Sequence, residues 1–133
     1  MPKSIKNDKK EKVYSIDFKA LGIQGFSSEF LISEKLKSVG IDIKKDEKLD
    51  HLLTKCSKFK KKPYDFIFPE LSLSESIFRS LLIRKNSKTG MHQIQSDLSA
   101  VWLDHYKLPY KNISDSGVSG ILEKSGLFIS TKA

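Results

Sequence analysis

Residues 113–129, ISDSGVSGILEKSGLFI, mark out a short helix with both ends defined. Ser114 stands where an N-cap is wanted, because its hydroxyl can accept from one of the backbone N–H groups that a first helical turn leaves without a partner. Val118, Ile121 and Leu122 fall on one side at helical spacing, and Gly126 is the residue type that ends such a helix in a left-handed conformation. Leu127-Phe128-Ile129 then predicts a short strand. Two helices precede this one. Ser72 followed three residues later by Glu75 is a capping-box pattern. The helix it opens, SESIFRSLLIRK, buries Ile77, Phe78, Leu81 and Leu82. Residues 86–90 form a turn by composition. The next helix carries Ile94, Leu98, Val101, Trp102 and His105 on one face and ends ahead of Pro109, because the residue before a proline avoids the helical region.

The first half predicts a different pattern. Residues 1–12 are polar and without periodicity, a flexible basic arm. Tyr14, Ile16, Phe18 and Ala20 alternate with polar residues, a half-buried strand over 14–20. Ser27 or Ser28 caps a helix to about Ser38 with Ile32, Leu36 and Val39 inward and Gly40 just past its end. Asp46 is placed to cap a helix whose apolar face is Leu49, Leu52, Leu53, Cys56 and Phe59, stopped by Pro63. Tyr64, Phe66 and Phe68 predict a second short strand ended by Pro69. The fold expected is α+β and mostly α: a small N-terminal strand/helix lobe over 13–69, and a module of three helices over 70–133.

The chain has 133 residues, 38% apolar and 30% charged, with a net charge of +8. That is a one-domain length with enough apolar residues for a core and too many for a disordered polyelectrolyte. One cysteine, Cys56, leaves no internal disulfide framework. No apolar run approaches the roughly 20 residues that span a bilayer, so no membrane partner is expected and an intracellular location is. The basicity is almost all lysine and sits in residues 1–62, which hold sixteen lysines against nine acidic residues. It is densest at Lys9, Lys10 and Lys12 and in the run Lys55, Lys58, Lys60, Lys61, Lys62. Lysine suits phosphate and lacks the planar fork with which arginine reads guanine.

The capped three-helix pattern, with its Val-x-x-Ile-Leu face and Lys-x-Gly-Leu exit, resembles helix-turn-helix and winged-helix DNA-binding modules over about residues 70–130. The resemblance implies a third helix that enters a groove with Ser114, Asp115, Ser116, Ser119, Gly120 and Lys124 outward, and nucleic acid, DNA ahead of RNA, as partner. In that mechanism Lys107, Lys111 and Lys124 hold phosphates beside Ser114, Ser116 and Ser119, and Lys58, Lys60, Lys61 and Lys62 extend the footprint. The outward face carries no Arg, Asn or Gln, so contact at the level of phosphate is expected rather than base reading. The expected role is regulatory or accessory and not enzymatic. The alternative is a protein-interaction subunit of a larger complex whose three helices meet an acidic partner; a homodimer is compatible with either. A distant third is a metal-dependent nuclease using Asp17-x-Lys19 or Asp42-x-Lys44. His51, His92 and His105 lack ligand spacing, His105 is expected to pack beside Trp102, and no cofactor or metal is expected. Tyr106 and Tyr110, between Lys107 and Lys111, make a small aromatic-basic patch.

Overall fold

Tyr14 and Ile16 are buried and Val13 and Ser15 half-buried, the alternation of a strand. That strand, β1 (Lys12–Ile16), stops earlier than its sequence pattern predicts. Asp17 is the reason: its Oδ1 accepts from the Ala20 amide at 2.9 Å and caps α1 (Phe18–Ile23), so Phe18 and Ala20 become helical. The computed structural model describes residues 12–109 and 113–132, so Lys111, Tyr110 and the arm before Lys12 lie outside the described residues.

Two helices follow. Ser27 caps α2 (Ser28–Ser38) through the Phe30 amide, with Ile32 and Leu36 inward and Gly40 left-handed just beyond. The next, α3 (Leu49–Ser57), buries Leu52, Leu53 and Cys56 as its spacing predicts. Asp46 is not its cap. It takes a left-handed turn with φ of 60°, and the N-cap is Lys48, with no side-chain acceptor. No strand forms at 64–68 either. Pro63–Asp65 is a 3₁₀ turn, and the neighbours Phe66 and Ile67 are both buried, where a strand would send them to opposite faces.

The second half contains α4 (Leu73–Ile83), β2 (Thr89–Gly90), α5 (Met91–Ser99), α6 (Asp115–Lys124) and β3 (Phe128–Lys132). Helix α4 is the axis of the molecule: every residue from Ser76 to Ile83 is buried. Its capping box is half formed. Ser72 Oγ accepts from the Glu75 amide at 3.1 Å, while the Glu75 carboxylate turns to Lys35 and Arg79. The fold is α+β and mostly helical, with one antiparallel sheet in the order β2-β1-β3.

Because β1 comes from the first half and both of its neighbours from the second, residue 69/70 does not separate two lobes. Tyr14, Ile16, Leu36 and Cys56 belong to the same buried cluster as Leu81, Trp102 and Phe128. The two halves share one core.

Past the two-residue β2 pairing, β1 would leave its outer edge bare at Ile16. A side chain completes it. Asn86 accepts from the Ile16 amide at 2.6 Å and donates to the Ile16 carbonyl at 3.1 Å, standing in for a strand residue. The turn that presents it is left-handed at both Lys85 and Asn86, and asparagine tolerates that conformation better than most side chains. Asn86→Ala is expected to destabilise the fold by about 2 kcal/mol in urea denaturation, since it strands both Ile16 groups. Asn86→Gly loses the same two hydrogen bonds but keeps the turn unstrained, so it is expected to lose less than Asn86→Ala; a loss near zero in Asn86→Gly would mean the hydrogen bonds contribute nothing.

Candidate nucleic-acid interface

The residues picked from sequence divide between two surfaces. On the first, Ser114 caps α6 through the Gly117 amide at 3.2 Å, as expected, and Val118 and Leu122 are buried. Ser116 is exposed and Ser119 half-buried, and both line a cleft of about 620 Å³ with Lys12, Tyr14, His92, Asp115 and Glu123. The polar centre of this cleft is Glu123, whose Oε2 accepts from the Tyr14 hydroxyl at 2.6 Å and from Lys12 at 3.3 Å. Those bonds, the tyrosine first, hold its carboxyl below the usual carboxylate range. Asp115 is held at the other end by Gln95 at 2.8 Å. Two carboxylates on this surface repel phosphate, and Lys124 is exposed but does not line the cleft. Lys107 is exposed on a left-handed turn in the segment before α6.

The second surface collects the lysine run. Phe59 stacks on Phe66 with centroids 4.9 Å apart and planes 9° from parallel, and so anchors the 3₁₀ turn Lys58–Lys60 from inside. With that ring inward, Lys58, Lys60, Lys61 and Lys62 are all exposed. None of the four has an ion-pair partner among the described residues. The Lys58–Lys60 turn packs against α3, α4 and the Pro63–Asp65 turn. Lys60 lines a second cleft, of about 420 Å³, opposite Arg84 and Ser87, with Ser80, Ser96 and Asp97 on its walls and Pro63, Ile67, Ile83 and Ala100 as apolar lining.

Arg84 is held in place. Its Nε and Nη2 donate to the two Asp97 oxygens at 2.7 and 2.9 Å, and Ser80 supports Asp97 at 3.1 Å. The pairing raises the arginine's already high pKa. A bidentate carboxylate uses two of five guanidinium N–H groups, leaving three for an anion in a fixed position. Lys85 and Lys88, both exposed, flank Arg84 and Ser87 in the chain. Sequence alone picked one rim of this cleft. It missed Arg84, Lys85 and Lys88, which stand twenty-odd residues away and meet the run only through α4; the left-handed Lys85-Asn86 turn was no signal by composition.

Other candidates fall elsewhere. Asp17 is spent on its helix cap, and the backbone carbonyl of Asp42 accepts from Lys55. Among the described residues no three His, Cys, Asp or Glu side chains gather as a metal site. Cys56 is buried, and burial pushes its thiol up to about 12. His105 is exposed rather than packed beside Trp102. Three large apolar side chains are also exposed at the α1–α2 corner: Ile23 at 83%, Phe26 at 50% and Phe30 at 61%. Among the described residues no helix is long and apolar enough to cross a membrane. No protein-family model, curated protein or solved structure matches the chain.

Tyr14→Phe is expected to raise the Glu123 pKa toward the ordinary carboxylate value in an NMR titration. The sign follows from the ionised form being the one hydrogen-bonded. Its stabilisation is present above the usual carboxylate range and is lost as pH falls through the lowered value. A wild-type-like titration would show that Lys12 alone orients Glu123.

Proposed function

We propose that this chain binds nucleic acid through its phosphates, along the cleft between Lys60 and Arg84, in a regulatory or accessory role without chemistry of its own. One observation carries the reading: Lys60, in a run of exposed lysines (58, 60, 61 and 62) without an ion-pair partner among the described residues, lines a cleft with an arginine that Asp97 holds in position. Within that cleft the single carboxylate is already matched by Arg84, so the net field is positive and favours a polyanion. The order α4, α5, α6 followed by β3 keeps the sequence of a helix-turn-helix module with its wing strand. The acidic residues on α6 nevertheless argue that its outward face is the weaker part of such an interface. DNA remains the first partner to test.

Lys60→Gln, Lys61→Gln and Lys62→Gln together are expected to lower affinity at about 50 mM salt. They should also flatten the dependence of log K on log[salt] by about 2 to 3, near 0.7–0.9 for each phosphate contact removed. Ser116→Ala with Lys124→Gln is expected to change the slope by less than about 1. Fluorescence anisotropy measures both. Absence of wild-type binding to DNA or RNA at that salt overturns the proposal.

A second reading rests on Ile23, Phe26 and Phe30, whose clustered exposure is the kind of apolar patch that marks a protein interface. It predicts a stoichiometric protein partner that survives nuclease treatment and is released by Phe26→Ser with Phe30→Ser.

A further inference from the structure

Helix α5 runs into a wider turn. The Tyr106 amide donates to the Val101 carbonyl, five residues back, at 3.0 Å, and residues Ala100–His105 are a π segment. A turn holding one extra residue sets everything after it back by about 100° around the axis. On an unbroken α-helix His105 would follow Leu98, Val101 and Trp102 into the core. Here it leaves that stripe for solvent, and Tyr106 takes the inner place, half-buried, its hydroxyl donating to the Tyr64 carbonyl at 2.9 Å.

The displaced imidazole lies flat on the Tyr64 ring, centroids 3.6 Å apart and planes 6° from parallel. Tyr106 stands against it edge-on at 4.7 Å. Tyr64 covers one face of the imidazole, and His105 as a residue remains exposed, which leaves its other face as the one open to a ligand in the proposal below. Charges of both signs flank this stack: Asp65 and Asp104, the chain neighbours of Tyr64 and His105, are exposed, and so are three lysines. Lys61 and Lys62 directly precede the turn that carries Tyr64, and Lys107 follows His105 by two residues; all three are exposed. Pro63 and Ala100, the neighbour of Tyr64 and the first residue of the π segment, both line the Lys60–Arg84 cleft. The ring stack therefore stands at the end of the basic cleft.

We propose that the outer face of His105 is a stacking platform for an unpaired base, and hence that the ligand of this cleft is a single-stranded nucleic acid. The inference rests on the nucleic-acid reading above. A ring face beside lysines recognises any base through its π surface, while the cations take the flanking phosphates. A duplex keeps its bases stacked inside and offers this platform nothing.

The test compares three fluorescein-labelled ligands by anisotropy at about 50 mM salt: a 12-residue oligothymidylate, an abasic strand of equal charge, and a 12-base-pair duplex. The wild-type chain is expected to bind oligothymidylate about tenfold more tightly than the abasic strand, within the range that removing one stacking ring costs. His105→Ala is expected to erase that preference and leave abasic and duplex binding unchanged; His105→Phe is expected to keep it. A wild-type chain that binds all three alike overturns the stacking inference alone, without needing any variant. So does a preference that survives in His105→Ala, or a free thymidine monophosphate that binds as tightly as the strand. Binding to none of the three overturns the nucleic-acid reading itself.

Discussion

Arg79 is the residue on which the arrangement turns. It lies in the middle of α4 with 7% of its surface exposed, yet its charge is matched. Nε donates to Glu75 at 2.8 Å and Nη1 to the Phe66 carbonyl at 2.8 Å, with the guanidinium over the Phe66 ring at 4.9 Å. Glu75 is shared with Lys35 of α2 at 2.7 Å. One buried cation thus ties α2, α4 and the irregular segment after α3 together. Removing one partner of such a group leaves an uncompensated charge and costs about 3–5 kcal/mol, far more than an exposed pair contributes. The same residue fixes Phe66, Phe66 receives Phe59, and Phe59 turns the lysines of the 58–62 run outward. The basic rim is held by an interaction in the core beneath it.

The two surfaces differ in how charge is handled. On the α6 side Lys12 and Tyr14 are committed to Glu123 and Gln95 to Asp115, so the polar groups are spent on one another. Among the described residues lining the Lys60–Arg84 cleft the one carboxylate, Asp97, is spent on orienting an arginine, and Lys60 has no ion-pair partner. In the reading proposed above, a polyanion meets the Lys60–Arg84 surface and not the outward face of α6.

The elements that were legible in the sequence are those decided locally. Ser114 with Gly126, Ser27 with Gly40, and the Leu52–Leu53–Cys56 spacing give α6, α2 and α3 because caps and helical stripes are short-range properties. The misreadings share a cause as well. Asp17 looks like a polar strand residue until it caps α1, and Tyr64, Phe66 and Phe68 alternate like a strand although Phe66 and Phe68 meet Arg79 and Tyr64 meets His105 rather than another strand. The π turn leaves no periodic trace, which is why His105 was placed inward. Half of the basic cleft was legible as the lysine run. The other half depends on α4 bringing residue 84 to residue 60, a tertiary fact that no window of sequence contains.

The sheet has a consequence for the order of events during synthesis. Its central strand is made first, and the two edges that cover it come from Thr89–Gly90 and from Phe128–Lys132. Until Phe128–Lys132 has been made, Ile16 has no strand beside it and Tyr14 only the two-residue β2, and closing so long a loop is slow. A nascent chain therefore carries a half-paired strand until the residues of β3 have been added. The lysines just ahead of it in sequence are well placed to keep that segment soluble while it waits.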